Sequence, residues 1–568
     1  ITNEYDSTSQ NMGKISSQKI SANNKFFLVS RSFPNITVTD GLGNKLRWIT
    51  DKTENILTRI QQLPALNVLA SFKYNSNNPT KPIQVTDGNG NIIKYTYDSM
   101  GNLLKAKFPS NVTYSMTYTK TNDLKTYTDP DLHTTTFGYA NENLTSVTNS
   151  RGTTLIGRNP DGTISSITDP MGITTTMSYN SYKNIQSITD ALGHKSSNGY
   201  DIVGRLTSTV DALQHTKRYG YNNDDMVTSF TDANQQVTRY HYDPDDNLDV
   251  ITNALSRETK MSYNHFDLLD SLTNPLGESY AYTYFDNGLL KTRTSPDGEV
   301  ISYYYDSRDR ITQMSGQDFN TSITYDNDDN ITSVSNKNGK IALTYNSLNR
   351  LKTETDYFGN TVSYGYDAAG NIISITYCNG KKVNYKYYDD NLIKYVTDWN
   401  SDTTFFTYLP NGLPQSIVYP NKVRCIYKYD AAGRMVEMMN LKSNGDTINY
   451  YHYYLDAIGM PDSSLQREPL TLDSLPTENI SYSYDAANRI KSANQTTFSF
   501  DKRGNMISVR GAKNTTFNFD GRNQLVSVNG ANNLTYQYDG FGYRHSATRN
   551  GITTRYILDI SGGSENVI

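Results

Sequence analysis

The sequence predicts an all-β fold: tandem β-hairpin repeats of about 21 residues that form a spiralling antiparallel sheet and curl into a hollow shell. Three observations predict it. Tyrosine recurs at a fixed period through the middle of the chain, each of these positions is followed by a turn signature, and short segments rich in β-branched residues lie between successive turns. No segment shows a helical period of useful length.

The period is defined by a series of tyrosines that runs from residue 97 to residue 429. Every interval in the series is 20 or 21 residues, and Asn159 fills the one position without a tyrosine. Self-similarity at a fixed period is the signature of a repeat architecture. The series comprises Tyr97, Tyr118, Tyr139, Tyr179, Tyr200, Tyr221, Tyr242, Tyr263, Tyr284, Tyr305, Tyr325, Tyr345, Tyr366, Tyr387, Tyr408 and Tyr429.

Each unit is predicted to be a hairpin with two short strands and two tight turns. In residues 364–372, YGYDAAGNI, aromatic residues at alternate positions lie on one face of a strand, and Asp-x-x-Gly-Asn supplies a side-chain-capped turn with a positive φ. The returning strand, as in residues 185–190, ends in a second turn. The predicted structural motif residues are Tyr97, Asp98, Gly101, Tyr200, Asp201, Gly204, Tyr242, Asp243, Tyr305, Asp306, Tyr366, Asp367, Gly370, Tyr429, Asp430, Gly433, Tyr484, Asp485, Tyr538, Asp539 and Gly542.

The number of units predicts the shape. Roughly 16 units of two strands, at about 4.8 Å per strand, make a ribbon on the order of 150 Å wide. Open twisted sheets rarely exceed about ten strands without curling. Closing the ribbon in one turn gives a diameter near ~50 Å, which facing side chains cannot fill, so we expect a hollow interior with a wet, tyrosine-rich inner face.

Four regions are predicted along the chain. Residues 1–73 form an irregular β region with degenerate repeats, and residues 74–454 form the regular array. Residues 455–480 contain three prolines and are expected to be an insertion, either a long surface loop or a plug. Residues 481–568 hold repeats of shorter spacing. The chain opens at Ile1 without an initiator methionine or a signal peptide, so we expect an internal part of a longer protein.

Composition argues against several classes of function. The net charge is −4, from 53 basic and 57 acidic residues that are interspersed, so no basic stripe for nucleic acid is present. No run approaches the ~20 apolar residues of a membrane span. Cys378 and Cys425 cannot supply a thiol zinc site or a disulfide scaffold. We expect free, partly buried thiols, although the sequence leaves a bridge open.

The histidines and the acidic turns are the candidate metal sites. His194 and His215 follow Asp190 and Asp211 by four residues in adjacent repeats, but the flanking repeats supply no further strong ligand pair. We therefore expect solvated or partner-bonded rings. The turn at residues 326–330, DNDDN, lacks the glycine and glutamate that an EF-hand-like loop requires at its sixth and twelfth positions. The capping of a tight turn by acidic and amide side chains explains this acidic segment, and no metal or cofactor is expected.

No catalytic residue is predicted either. The chain contains no Gly-x-Ser-x-Gly elbow, P-loop or His-Glu-x-x-His motif. Residues 168–172, TDPMG, fall at the ordinary second-turn position of a repeat and are interpreted as structural. The tyrosine ladder favours packing between neighbouring hairpins, while stacking on sugars remains an alternative use of the same rings.

The recurrent Tyr-x-Tyr-Asp-x-x-Gly-Asn/Arg-Leu/Ile unit resembles the YD repeats of bacterial RHS proteins, wall-associated contact-toxin proteins, the shell components of insecticidal Tc toxins and animal teneurins. The resemblance covers about residues 74–568. Residues 536–559 look like the last repeats before the core segment of the family, an Asp-Pro-x-Gly-Leu motif that does not occur in this chain. No self-cleavage residue is therefore carried over.

The resemblance implies a secreted or cell-surface bacterial protein whose repeats form a non-catalytic structural shell. Such a shell encloses or presents its own C-terminal toxin or effector segment. The alternative hypothesis is a cell-surface adhesion or carbohydrate-binding repeat protein. The partners implied are the C-terminal segment itself, cell-surface glycans or a component of a secretion system.

Overall fold

Antiparallel strands make up almost all of the described chain. Among the described residues the one helical element is a 3-10 turn at Pro109–Asn111. No helix in this part of the chain is long and apolar enough to cross a membrane. The computed structural model describes residues 2–5, 15–19, 27–32, 34–40, 43–51, 56–75, 78–469, 479–531, 533–559 and 566–567.

The first 44 strands form one sheet, in which each strand pairs with the next along the chain. The strands of the N-terminal region are β1 (Thr2–Tyr5), β2 (Ile15–Lys19), β3 (Phe27–Ser32), β4 (Asn35–Asp40), β5 (Lys45–Thr50), β6 (Leu57–Leu63), β7 (Asn67–Asn75) and β8 (Asn78–Asp87). The strands of the first regular repeats are β9 (Ile92–Tyr97), β10 (Leu103–Lys107), β11 (Thr113–Tyr118), β12 (Leu124–Thr128), β13 (Thr134–Ala140), β14 (Asn143–Asn149), β15 (Gly152–Arg158), β16 (Ile164–Thr168), β17 (Thr174–Tyr179), β18 (Ile185–Thr189), β19 (Lys195–Tyr200), β20 (Leu206–Val210), β21 (Thr216–Tyr221), β22 (Val227–Thr231), β23 (Val237–Tyr242) and β24 (Leu248–Thr252).

The same ladder continues without a break to its last strand. Its remaining strands are β25 (Glu258–Tyr263), β26 (Leu269–Thr273), β27 (Ser279–Tyr284), β28 (Leu290–Thr294), β29 (Val300–Tyr305), β30 (Ile311–Ser315), β31 (Asn320–Tyr325), β32 (Ile331–Asn336), β33 (Gly339–Tyr345), β34 (Leu351–Thr355), β35 (Thr361–Tyr366), β36 (Ile372–Thr376), β37 (Lys382–Tyr387), β38 (Ile393–Thr397), β39 (Thr403–Tyr408), β40 (Pro414–Val418), β41 (Arg424–Tyr429), β42 (Met435–Leu441), β43 (Thr447–Leu455) and β44 (Pro461–Arg467).

A second sheet of nine strands follows, and two short strands form a separate pair after it. The nine strands also pair in chain order. The repeats of this sheet are shorter than those of the first because most outgoing strands have 5 residues instead of 6 and the return turns are also shorter. The nine strands are β45 (Tyr482–Tyr484), β46 (Ile490–Ala493), β47 (Thr496–Phe500), β48 (Met506–Arg510), β49 (Thr515–Phe519), β50 (Leu525–Asn529), β51 (Leu534–Tyr538), β52 (Arg544–Arg549) and β53 (Ile552–Arg555), and the separate pair consists of β54 (Leu558–Asp559) and β55 (Asn566–Val567).

One repeat is an outgoing strand, a turn and a return strand, as in β27 and β28. The outgoing strand ends at Tyr284, which pairs with Leu290 across a register shift that marks a β-bulge. We call the turn after the motif tyrosine the Tyr-Asp turn, and the turn that leads to the next repeat the return turn. The two kinds of turn lie at opposite edges of the sheet because successive strands are antiparallel.

The two faces of the sheet differ in exposure. In β27 the side chains of Tyr280, Tyr282 and Tyr284 are half-buried, whereas the alternating residues Ser279 and Thr283 are exposed. Alternation of this kind follows from the period of two in a strand. We call the face that bears the motif tyrosines the Tyr face.

The sheet winds as a spiral, and successive windings touch. Return turns of one winding contact Tyr-Asp turns of the next, and the bonded residues are mostly 237 to 247 apart in sequence. The side chain of Gln62 bonds to Ser307, and Asn411 bonds to Asp169. We call this line of contact the seam. Near the C-terminus the separation falls to about 200 residues, as for Asn338 and Tyr538.

The seam corrects the size expected from the sequence. One winding of about 240 residues holds roughly 23 strands, so its circumference is roughly 110 Å and its diameter roughly 35 Å. The array therefore makes more than two windings instead of one wide turn. In the described part of the chain few hydrophobic side chains are buried. The main buried cluster consists of Val362, Tyr364 and Ile375, with Ile557 packed against it.

The region expected to be an inserted loop is partly a strand. Pro461–Arg467 forms β44, the return strand of a hairpin with β43, and all seven of its residues are exposed. A turn with a positive φ at Gly459 joins the two strands. The expectation of a loop is therefore wrong for this part. One of the three prolines is the first residue of β44 and the other two follow the strand, so none of them interrupts it. Residues 470–478 lie outside the described residues.

Candidate functional site

The motif tyrosines hold adjacent repeats together through their hydroxyl groups. The hydroxyl of Tyr305 donates to the main-chain carbonyl of Leu290, 2.9 Å away, which belongs to the β-bulge of the preceding repeat. A bulge disrupts the ladder locally, so the hydroxyl provides a partner for a carbonyl there. Burial also raises the pKa of Tyr305. The same bond, at 2.7 to 3.1 Å, is formed by Tyr97, Tyr200, Tyr242, Tyr366, Tyr429 and Tyr538.

Tyr484 is the exception among the predicted motif tyrosines. It lies in β45, the first strand of the second sheet, and its side chain is 57% exposed. The preceding return strand of the ladder, β44, pairs with β43 and not with β45 among the described residues. The bulge carbonyl that other motif tyrosines bind is therefore not beside it.

We expect Tyr305→Phe to lower the local free energy of unfolding by about 0.5 to 1.5 kcal/mol, the net value of one hydrogen bond. Hydrogen exchange of the β28 and β29 amides measures this loss. Tyr179→Phe is the matched control, because the Tyr179 hydroxyl faces the Met177 sulfur at 3.8 Å instead of a carbonyl. Equal losses in the two variants would show that the ring alone, without its hydroxyl, stabilises the repeat.

The motif aspartates cap their own turns. The Asp98 carboxylate accepts hydrogen bonds from the main-chain amides of Met100 and Asn102 and from the Asn102 side chain, at 2.8 to 3.0 Å. The bonds from Asn102 hold the pKa of Asp98 below its usual range. Gly101 then takes a φ of 86° and completes the reversal. Equivalent caps are formed by Asp201, Asp243, Asp306, Asp367, Asp430, Asp485 and Asp539.

The glycine of the motif occupies the left-handed position of the turn. Gly204, Gly370, Gly433 and Gly542 have φ values between 77° and 110°. Other repeats place asparagine or aspartate there, as in Asp246, which are the residues that adopt this conformation at least cost. The motif therefore specifies the conformation of the turn.

The candidate metal ligands are also turn caps. The Nδ1 atoms of His194 and His215 lie 2.9 and 3.0 Å from the carboxylates of Asp190 and Asp211, each within its own return turn. Among the described residues no group of His, Cys, Asp and Glu has the geometry of a metal site. The Asp326 carboxylate accepts main-chain bonds from within residues 326–330, as in the other turns.

The two cysteines are not bridged. Cys425 is buried, with 4% of its surface exposed, whereas Cys378 is exposed. The expectation of a partly buried thiol is wrong for Cys378. This residue follows Tyr377 in a return turn, beyond the end of strand β36, and is exposed there.

The seam brings together residues that the sequence gives no reason to connect. The Ala369 amide donates to the Asp131 carboxylate at 3.0 Å, and Arg151 forms an ion pair with Asp390. Farther along the spiral Arg503 lies 2.9 Å from Asp297. Partners 206 to 239 residues apart leave no local pattern, so only the number of repeats per winding could have predicted them.

The C-terminal residues dock on the Tyr face of an earlier winding. The hydroxyl of Tyr364 donates to the carboxylate of Asp559 at 2.9 Å, and Leu558 is buried beside it. Ile557 packs against the cluster of Val362, Tyr364 and Ile375. Burial and the Asp559 carboxylate both raise the pKa of Tyr364, so its hydroxyl keeps its proton at all physiological pH values.

A second contact lies beside this docking surface. The His545 ring makes edge contacts with Tyr357 and Phe358, with ring centres 5.1 and 5.5 Å apart, and the Arg555 guanidinium lies 4.4 Å from the Phe358 ring. Burial lowers the pKa of His545. The neutral form of the His545 imidazole is favoured by burial. The Arg555 cation is stabilised by the face of the aromatic ring.

Asp539 is expected to make the stability of the C-terminal region depend on pH. Only 2% of its surface is exposed, and burial raises the pKa of Asp539 to about 6. Because the folded pKa exceeds the unfolded value, the stabilisation is complete below the unfolded pKa and is lost as the pH rises through about 6. Raising the pH from about 5 to about 7.5 should therefore cost roughly 1 to 2 kcal/mol at this residue.

We expect Asp539→Asn to remove most of this cost. Thermal melts at the two pH values, compared with those of the unchanged protein, measure the difference. Asp98→Asn is the control, because the Asp98 pKa is lowered by its turn instead of raised. If Asp539→Asn leaves the pH dependence of melting as it was, Asp539 does not titrate in this range.

A family model described as Teneurin YD-shell matches residues 157–294, 290–419 and 425–558, which together make up more than two thirds of the chain. No curated protein matches the chain.

Two solved structures share the fold. The crystal structure of TcdB2-TccC3 is 12% identical, with a TM-score of 0.62 over 93% of this chain and 38% of the other. The structure of the Photorhabdus luminescens Tc holotoxin pore is also 12% identical, with a TM-score of 0.65 over 89% of this chain and 38% of the other. This chain thus spans about 38% of the length of either.

Proposed function

This chain belongs to the teneurin YD-shell family, and on that premise we propose that it is the non-catalytic wall of a shell that encloses or presents a C-terminal toxin or effector polypeptide. The wound sheet supports the proposal. A winding roughly 35 Å across is far wider than the ~10 Å that two facing layers of side chains fill, which leaves room for another polypeptide.

The docking of residues 557–559 is the single observation that carries the proposal. These residues lie on the Tyr face of an earlier winding, held by Tyr364 and the cluster around Val362. Side chains on the concave face of a curved sheet crowd together, and those on the convex face diverge. The lower exposure of the Tyr face therefore favours its assignment as the inner wall. Any polypeptide that follows would then start inside the shell.

We propose further that the full protein is secreted or displayed on a bacterial surface. The solved structures that share the fold are named as Tc toxin components, which supports a toxin role for the shell. A fractionation of the native host, followed by detection of this chain, tests the location. Recovery in the cytoplasm alone would contradict it.

Protease protection tests the enclosure. The full-length protein with its native downstream sequence is incubated with a nonspecific protease, and the survival of the downstream segment is followed with time. We expect survival for much longer than that of the same segment expressed alone. Digestion of both at the same rate, while the repeats stay intact, would contradict enclosure.

A second candidate is a cell-surface adhesion or carbohydrate-binding role. Exposed aromatic rings favour it, since Tyr182 is 69% and Trp399 is 45% exposed, and aromatic faces stack on sugars. Glycan-array binding that is lost in Tyr182→Ala and Trp399→Ala would support this role. A blank array would leave the shell as the favoured function.

A further inference from the structure

One stretch of the seam joins acidic groups to acidic groups. It spans two adjacent Tyr-Asp turns of the second winding, at residues 306–310 and 326–330. Opposite them lie two return turns of the first winding, one in which Asp40 bonds to Gly43 and Asn44, and one at residues 87–91. The side chains that meet are carboxyl groups from both windings.

Asp328 lies within this contact. Its Oδ1 atom accepts the main-chain amides of Gly88 and Asn89 at 2.7 and 3.2 Å, so the carboxyl group bridges the two windings. Its Oδ2 atom is buried and has no hydrogen-bond donor. The Asn89 amide also donates to the Asp87 carboxylate, at 3.1 Å, so this shared donor brings the carboxyl groups of Asp87 and Asp328 together across the seam. Two neighbouring carboxylates repel each other unless they share a proton. The repulsion is stronger here because the Asp328 Oδ2 atom is buried and accepts no hydrogen bond.

Asp309 repeats the arrangement one turn away. The Asn287 side chain donates both to Asp309, at 3.2 Å, and to Asp40, at 3.4 Å, and so brings the two carboxyl groups together across the seam. Asp309 has a φ of 61°, the left-handed position of its turn. Both pairs thus join a Tyr-Asp turn of the second winding to the cap of a return turn in the first.

The nearby cations are already engaged by other carboxylates. Arg308 binds Asp329 at 2.7 Å, and Arg310 binds both Asp306 and Asp329. On the same turn as Asp328, Asp326 accepts the Asn89 side chain and adds a further negative charge. When the two carboxyl pairs are ionised, they therefore lie beside further carboxylates and beside arginines that are already paired.

Elsewhere the seam matches opposite charges. Arg151 meets Asp390, Arg503 meets Asp297, and Arg489 lies 3.4 Å from Glu278. These pairs are strongest when the carboxylates are ionised. The acidic stretch is therefore chemically different from the rest of the seam.

We propose that this stretch is an acid-stabilised latch, in which each carboxyl pair shares one proton and closes the seam more tightly in acidic than in neutral solution. Burial and the facing aspartate raise the pKa of Asp328 and of Asp309. The stabilisation is complete below the unfolded pKa of aspartate and is lost as the pH rises through the raised folded value. As the pH rises and the shared protons are lost, the facing carboxylates repel each other and this part of the seam loosens.

The amides of Gly88 and Asn89 report the latch directly, because they donate across the seam to Asp328. Their hydrogen exchange is measured at pH 5 and pH 7.5 by mass spectrometry of the intact chain with residue-level fragmentation, corrected for the intrinsic exchange rates. We expect protection at least about tenfold greater at the lower pH. In Asp328→Asn, which keeps the acceptor oxygen and removes the charge, the change should fall below about twofold.

Asp245→Asn is the matched control. Asp245 occupies the same position of a Tyr-Asp turn as Asp328, but it is exposed and faces no second winding among the described residues. This variant should keep the full pH response. Equal protection of Gly88 and Asn89 at both pH values in the unchanged protein would overturn the latch, as would identical behaviour of the two variants.

Discussion

Tyr364→Ala is expected to lower the free energy of unfolding of the C-terminal region by about 3 to 5 kcal/mol, the usual cost of truncating a buried aromatic ring. Tyr364 is 6% exposed and lies at the centre of the main buried cluster. The ring supports Ile557, and the hydroxyl binds Asp559. Without it, residues 557–559 lose both their apolar contact and a hydrogen-bond donor.

The loss is measured by hydrogen exchange of the amides of residues 552–559, and by protease cleavage after Arg555. Tyr364→Phe should have an intermediate effect of about 1 to 3 kcal/mol, because it leaves the Asp559 carboxylate without this donor. Tyr240→Ala is the control at the same repeat position in the first winding, where the ring is only half-buried. If Tyr240→Ala exposes residues 552–559 as strongly as Tyr364→Ala, the docking surface is wrongly assigned.

Gly88→Val is expected to open the seam, with a local cost of about 1 to 3 kcal/mol typical of overpacking. A Cβ atom at residue 88 would lie 2.5 Å from the main-chain oxygen of Asn327, and a backbone atom cannot move aside as cheaply as the end of a flexible side chain. The backbone of Gly88 is not in the left-handed region, so the cost comes from the contact and not from local strain.

The chain provides its own control for this substitution. Ala191, Ala212 and Ala233 occupy the same position in three return turns that form no hydrogen bond or ion pair to the second winding among the described residues. Ala212→Val should therefore change stability by less than about 0.5 kcal/mol. Thermal melts and the exchange of Asn89 measure both variants. A harmless Gly88→Val would contradict the close approach of the windings.

Much of the fold could be predicted from the sequence because its information is local. The period of the tyrosines, the capped Tyr-Asp turns and the alternation of exposure all depend on residues within one repeat, and the family match confirms the resemblance inferred from them. The antiparallel ladder in chain order follows from the same signals. The role of the Tyr305 hydroxyl, a bond to a bulge carbonyl 15 residues earlier, has a fixed spacing that sequence reasoning overlooked.

The remaining features depend on distant contacts. The diameter was overestimated because the number of strands per winding is fixed by twist and by seam contacts such as Asn411 with Asp169, and not by the length of the array. The docking of Asp559 on Tyr364 joins residues 195 apart and leaves no repeat signature. For the same reason the acidic stretch of the seam at Asp87 and Asp328 has no counterpart in the motif.

Cryo-electron microscopy of the full-length protein with its native downstream sequence tests the central claim most directly. If the chain is a shell, we expect a wall one sheet thick, wound through more than two turns, with additional density inside that continues from the docked residues 557–559. An empty wound wall with the downstream segment outside it, or a solid particle without an interior, would contradict the account.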